Sequence, residues 1–404
     1  MNSLSPPLLA ALLAGAPAQA IEVTGVVDLR AVAAHGPASW TREGLGKLRY
    51  DPHNDGLRLG QAMLRGDAEL GDTVSGVLIV NAADDRSRTL NITEGWLRWN
   101  PIPSGPWKTS VRAGQFFPAM SLENDGIGWT PTRSISTSAI NSWIGEELRT
   151  RGLEVQLVRR GRAAGDAHDL GINAAVFAGN DPIGTLLTWR GWSISDRITG
   201  ISEPLELADL PVYRPDGRLR KQSRRIHVFR EFDDRLGYQA SVHYGYGGWL
   251  ELSAMRYDNR ADPLILVSGQ YGWRTRFQHA NLKLRRDGWE LLGQAMQGTT
   301  FMGPPAAGVD FRAWYVLASH AAGPGKLSVR YDRFKAMEDD QIESDPNGEK
   351  GNGVAIAYAL PLGASWSLVT ELLTVRSERP ARTLIGAASR QTERNLAASM
   401  RWQF

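Results

Sequence analysis

Along most of the chain apolar and polar residues alternate one for one. The last nine residues show it most cleanly: Leu396, Ala398, Met400, Trp402 and Phe404 fall on one side, and Ala397, Ser399, Arg401 and Gln403 on the other. Successive side chains of a strand point to opposite faces, so each such run predicts a strand with one greasy and one wet face. The pattern recurs near 21–34, 57–70, 73–83, 89–100, 107–116, 148–160, 170–180, 235–245, 249–258, 271–285, 289–300, 311–320, 326–336, 352–360, 366–375 and 392–404. Two further segments, 184–196 and 224–232, are strand candidates inside the stretch Asp181 to Asp234.

The breaks between strands also alternate. Short turns such as Gly71-Asp72, Pro101 to Pro106, Gly245 to Gly248, Arg286 to Gly288, Ala321 to Gly325 and Pro361 to Ser365 take turns with long polar breaks. The long ones include His35 to Gly56, Phe117 to Glu147, Asp181 to Asp234 and Arg376 to Thr392. Short turns on one rim and long loops on the other are the arrangement of a transmembrane antiparallel up-and-down β-barrel. The count predicts about 16 strands, with 18 as the alternative if both extra segments enter the barrel. Alternation puts Val23, Leu29, Leu64, Leu97, Trp99, Val329, Tyr331, Val354 and Ile356 toward lipid. Strand 271–285 does not phase: Trp273 and Phe277 fit one register and Leu282 and Leu284 the other, so a bulge is expected there. Trp99, Trp107, Trp249, Trp289, Trp366 and Trp402 lie near strand ends, where an aromatic girdle would sit at headgroup level.

Composition narrows the function. Mean hydropathy is −0.30, too low for a bundle of spanning helices but compatible with a barrel, in which only alternate residues meet lipid. There is no cysteine, which fits an oxidising compartment and removes thiolate chemistry. The 46 basic and 43 acidic residues are interspersed, giving a net charge of +3 and no basic block of the kind a nucleic-acid binder carries. Residues 1–20 read as a signal peptide: Leu8 to Gly15 is apolar, Ala18-Gln19-Ala20 is a small-x-small cleavage site, and the barrel domain is expected over 21–404.

Candidate chemistry is sparse. The seven histidines are scattered, with no HExxH pair and no metal site predicted. No nucleophile elbow or phosphate loop is present, and no cofactor or reaction is expected. Ser241 with His243, and Ser319 with His320, are the only pairs that suggest a barrel hydrolase. Both are read as pointing to opposite faces, which disfavours hydrogen bonding. The acidic loop Glu338, Asp339, Asp340, Glu343, Asp345 lacks the order of a calcium loop and reads as a solvated turn.

The informative set is the inward charges. Arg30, Arg65, Asp67, Glu94, Arg98, Arg112, Glu154, Arg330, Asp332 and Glu371 are pore-lining candidates, because rings of fixed charge in a wet lumen bias which ions enter. The third long break, 117–147, is rich in Ser and Thr. Trp129, Arg133, Ser136, Ser138 and Trp143 are its candidates for a constriction that hydrogen-bonds small anions or hydroxylated solutes.

The run Val111-Arg112-Ala113-Gly114-Gln115-Phe116-Phe117-Pro118 resembles the strand end before the long loop in porins of the phosphate-selective and related types. Arg256-Tyr257-Asp258-Asn259, Arg330-Tyr331-Asp332-Arg333 and the terminal Arg401-Trp402-Gln403-Phe404 are similar to strand exits and the closing strand of Gram-negative outer-membrane porins. The resemblance implies passive diffusion of small hydrophilic solutes or ions across the bacterial outer membrane, a homotrimer, and a loop that narrows the channel. It also implies contact with outer-membrane lipid and lipopolysaccharide, and handling by the barrel assembly machinery with Trp402 and Phe404 as the assembly signal. Phosphate-selective members line the pore with an arginine ladder and lysines. Here carboxylates are interleaved, so a weak anion preference is expected. The rival readings are an outer-membrane barrel enzyme of lipase or protease type and a non-conducting adhesin or scaffold barrel.

Overall fold

In the computed structural model, which describes residues 20–85, 89–303, 306–340 and 342–404, 16 strands close into one antiparallel barrel. They are Ala20–His35 (β1), Gly56–Glu69 (β2), Val74–Ala82 (β3), Leu90–Trp99 (β4), Trp107–Phe116 (β5), Thr150–Arg159 (β6), His168–Ala178 (β7) and Gly237–Tyr246 (β8). The ring continues through Leu250–Asp258 (β9), Arg274–Arg286 (β10), Trp289–Met302 (β11), Ala307–Ala322 (β12), Gly325–Glu338 (β13), Glu349–Pro361 (β14), Trp366–Glu378 (β15) and Arg390–Gln403 (β16). Each strand pairs with its chain neighbours, and β16 pairs with β1 to close the ring, leaving no open sheet edge. The predicted signal segment lies almost wholly outside the described residues.

The 18-strand alternative fails. Within 184–196, Thr185–Trp189 is a short helix. Within 224–232, Arg225–Ile226 pairs with Leu205–Glu206 in a small hairpin of its own.

Outward positions carry the apolar belt. Val23, Leu29, Leu64, Val329, Val354, Ile356 and Leu372 are all exposed at the barrel surface. The six tryptophans named above are exposed too, and all sit at the turn-side ends of their strands, so they form one girdle on one rim. At the seam, Gly25 exchanges backbone hydrogen bonds with Phe404. A Cβ at Gly25 would stand 2.5 Å from the Phe404 ring, so this glycine makes the space the terminal aromatic occupies.

The bulge expected in strand 271–285 is absent: β10 runs in unbroken register with β9 and β11. Phe277 is buried and faces inward, while Leu282 and Leu284 face outward. Both sets of apolar residues fit one register because the interior is itself apolar at this wall. Register shifts fall elsewhere, between Asp28 and Leu29 and between Ile79 and Val80. At the second one Thr93 is skipped in the register with β3, its hydroxyl donating to the Ile79 carbonyl, and both Thr93 and Glu94 are buried.

The inside corrects a further expectation. Alternation predicts water within the cylinder, but much of the lumen is a side-chain core. Residues 117–149 fold into the barrel, and their helix Ala139–Glu147 (α1) is buried over all nine residues and packs on β11, β12 and β13. Ser138 caps it by accepting from the Asn141 amide. Trp143 is fully buried, edge-on to Trp192, Phe277 and Phe311 at 6.0, 5.7 and 5.3 Å between ring centres. Ile140, Ile144, Leu187, Trp192 and Ile194 join inward Met296, Tyr315, Phe334 and Leu373 in the same cluster. Above it, Trp189, Leu207, Leu210, Tyr213, Val228, Trp273 and Ile342 form a second apolar cluster that caps the loop-side end. Each fully buried apolar side chain is worth roughly 1.5–3 kcal/mol, so the inserted loops are held as firmly as a domain core.

Candidate functional site

The charges predicted to line a pore mostly anchor the inserted segment. Arg330 reaches Asp332 at 2.8 Å and Glu123 at 3.3 Å, and donates to the Ser136 carbonyl, Ser136 Oγ and the Thr137 carbonyl. Asp332 accepts from the Ala139 amide at the first turn of α1. Glu371 accepts from the Ile135 and Ser136 amides. Each is fully or almost fully buried. Further round the ring, on β1, Arg30 bridges Asp28 at 2.7 Å and Asp196 at 2.5 Å, and Asp196 is shared with Arg49 at 3.0 Å. A buried pair that loses one partner leaves the other desolvated, at a cost of about 3–5 kcal/mol, so these networks fix where the loops lie.

The constriction candidates separate in the same way. Ser136, Ser138 and Trp143 are buried in the anchoring network and the apolar core. Arg133 runs to the turn side, where it pairs with Glu290 and, at 2.9 Å, with Asp125. Trp129 adopts φ 68° and stacks on Phe117 with ring centres 4.2 Å apart.

Four of the ten lining candidates are only partly buried: Arg65, Asp67, Arg98 and Arg112. Arg65, Glu94, Arg98 and Arg112 line a cleft of about 400 Å³ between β2–β5 and residues 117–129, with Trp96 and Trp129 among its walls. Arg65 pairs with Asp67 at 2.7 Å and Arg112 with Glu154 at 2.7 Å. Arg98 makes no ion pair with a described carboxylate and lies over the Trp96 ring at 4.6 Å. Glu94 accepts from the Phe117 amide, tying the inserted segment to the cleft's edge. The porin-like run explains part of this geometry. Gly114 has φ 139°, and a Cβ there would stand 2.3 Å from the Gly95 carbonyl and 2.5 Å from Trp96 Cα, so only glycine lets β4 and β5 approach beside Arg112.

Beyond the cleft the inner wall of β6, β7 and β8 stays polar. Asn173 and Gln239 are buried with neither amide atom partnered, and Glu154 Oε2 is likewise unpartnered. Ser241 and His243 lie on this wall, and here the sequence reading is corrected. They are two residues apart, share a face, and their Oγ and Nε2 atoms are 3.1 Å apart. No carboxylate hydrogen-bonds this histidine among the described residues, so the pair lacks the acid that would orient it as a base. Ser319 and His320 do point apart: Ser319 faces Ser328 inside and His320 stacks on Trp289 outside.

Sequence reasoning missed the loop-borne anchors Glu123, Asp196 and Arg49 and the core residue Trp192. A signal was available in Ile183, Leu186, Leu187, Trp189, Trp192 and Ile194, too apolar for a solvated loop. It also missed a meeting of three carboxylates on the loop rim, Asp181, Glu231 and Asp233, close enough for a cation to touch all three. Burial and the neighbouring charges of Glu231 and Asp233 push the Asp181 carboxyl up to about 8.

No family model and no curated protein matches the chain in sequence. Solved structures do match in fold. The outer membrane channel DcaP of Acinetobacter baumannii superposes with a TM-score of 0.57 at 13% identity, covering 95% of this chain and 97% of that one. An anion-selective porin from Comamonas acidovorans gives 0.52 at 13% identity, over 95% and 99%. OmpT, an outer-membrane protein of Vibrio cholerae, gives 0.53 at 8% identity, over 95% and 97%. The chain has the closed 16-strand fold of outer-membrane porins.

Proposed function

We propose that the chain is an outer-membrane channel of restricted bore that passes small hydrophilic solutes, with a preference for anions. The route runs through the arginine-lined cleft and along the polar wall of β6–β8, beside the inserted segment 117–149. One observation carries the reading: Arg65, Arg98 and Arg112 stand together in a polar cleft inside the barrel, and Arg98 makes no ion pair with a described carboxylate. A low-dielectric wall around fixed cations focuses their field and raises the local concentration of anions. The unpartnered amide atoms of Asn173 and Gln239 continue the route, since buried polar groups without protein partners call for water or a polar solute. The fold likeness to an anion-selective porin supports the same direction. The trimer form recorded for the Vibrio protein supports a homotrimer, held by outer-membrane lipid and delivered by the barrel assembly machinery.

Planar bilayers test this. Pure protein should give small, uniform conductance steps and an anion-directed reversal potential in a salt gradient. Arg98→Glu should move that potential toward cations, with folding unchanged as read by heat-modifiable gel mobility. Total absence of steps from folded wild-type protein removes the channel reading. The second reading, a non-conducting scaffold barrel, draws on the apolar core across the lumen. It requires that no steps appear in the wild type under any salt or voltage.

A further inference from the structure

On the outer wall, where β12 to β16 approach the long loops, the alternation breaks. The lower outward positions are apolar: Val316, Val329, Ile356, Leu372 and Leu396. Three rows above the row of Val329, Ile356, Leu372 and Leu396 the outward side chains are mainly cations. Arg312 is the direct cross-strand partner of Lys335, and Lys335 of Lys350. Arg333 and Arg376 flank Asn352 in the row directly beneath, and Arg390 stands opposite Glu378. Like charges placed directly opposite each other destabilise a sheet, so three in succession are a costly arrangement for a bare surface.

The neutralisation available within the chain is small. Glu378 pairs with Lys350 and with Arg390, each at 3.1 Å. Arg312, Arg333, Lys335 and Arg376 make no ion pair with a described carboxylate, and all but the half-buried Lys335 are exposed. These six cations and Glu378 line a cleft of about 950 Å³. Trp314 and Tyr331, with rings 5.5 Å apart, close its lower edge at the boundary with the aliphatic belt. Indole and phenol at that height mark the headgroup level.

We propose that this cleft binds the phosphorylated headgroup of an outer-leaflet glycolipid of the lipid A type. The acyl chains would lie on Val316, Val329 and Ile356, and the phosphates would lie between Arg312, Arg333, Lys335 and Arg376. The geometry asks for both parts: an anion with more than one negative charge, and an apolar tail in continuity with it. A second copy of the chain would have to bring a matching acidic face against these cations, and free phosphate would leave the aliphatic floor uncovered. The inference rests on the proposed membrane reading only for which rim faces the outer leaflet.

Native mass spectrometry of the folded full barrel with purified bisphosphorylated lipid A tests it, alongside bilayer conductance on the same preparation. Wild-type protein should retain one or more lipid A molecules, with retention falling at least tenfold for lipid A stripped of its phosphates. Millimolar inorganic phosphate should not displace them. Arg333→Glu combined with Arg376→Glu should lower retention at least tenfold, while Arg376→Lys keeps it within a few fold. Conductance and heat-modifiable mobility should be unchanged in all of them, so that loss of lipid is distinguishable from loss of the channel. Equal retention of dephosphorylated lipid A, undiminished retention by the double variant, displacement by free phosphate, or cross-linking of this face to a second copy would each overturn the proposal.

Discussion

The two inner walls of this barrel are built by the same rule and do opposite things. On β10 to β15, inward positions include Phe277, Met296, Tyr315, Phe334 and Leu373, and they pack on α1 and Trp192 into a dry core. On β6 to β8, inward positions include Glu154, Asn173, Gln239, Ser241 and His243, and the core stops short of them. Both walls alternate with period two, and both present aliphatic residues outward. Alternation therefore sorts side chains between outside and inside, but what fills the inside is settled wall by wall. A lumen can be part protein core and part polar cleft within one closed sheet.

Breaking the dry wall should have the largest effect. Trp143→Ala removes the side chain at the centre of three edge-on aromatic contacts and should cost about 3–5 kcal/mol, read as a lower denaturation midpoint in detergent. If the core limits the bore, conductance per step should rise in the same variant. An unchanged step size would show that solutes never pass near α1. A smaller effect is expected on the outer face, where Trp402→Asp forfeits stacking on Trp366, about 0.5–1.5 kcal/mol. It should lower the yield of assembled barrel while export continues, measured by fractionating membrane and periplasm. Deleting Phe404 should do the same through the vacated Gly25 contact.

The loop-side cap should respond to pH. With its folded value raised to about 8, Asp181 is neutral in the folded cap and ionised in the unfolded chain between about 4 and 8. Stability from this group is therefore fully present below about 4 and is lost as pH rises through 8. Amide exchange in residues 179–236 should quicken across that interval, and Asp181→Asn should flatten the profile. The smallest effect is expected on the wet wall. Ser241→Ala removes one hydrogen bond to His243 and should cost about 1 kcal/mol or less, with no loss of any hydrolytic activity against ester substrates. A hydrolase would lose that activity entirely.

Much of this was legible in the residues. All sixteen strands, the short-turn and long-loop rims and the Trp girdle follow from side-chain period and turn chemistry, which act over a few residues. The misread strand 271–285 shows where that ends. Phe277 looked out of phase because an apolar interior was not anticipated, and its real partners, Trp143 and Tyr257, are 134 and 20 residues away in sequence. The inward charges were legible as inward, yet not as anchors. Nothing near Arg330 in sequence announces that Ser136 and Glu123 will meet it.

By itself the sequence determined a closed antiparallel sheet with an apolar outside, because alternation is a local property that only one face of each strand has to satisfy. Only the tertiary structure decided that residues 117–149 and 183–198 would turn inward and convert part of a wet lumen into a core, leaving arginines in a cleft beside it. The physical reason is that buried ion pairs and edge-on aromatics join residues from distant loops and strands. Their energy exists only once the cylinder has closed around them.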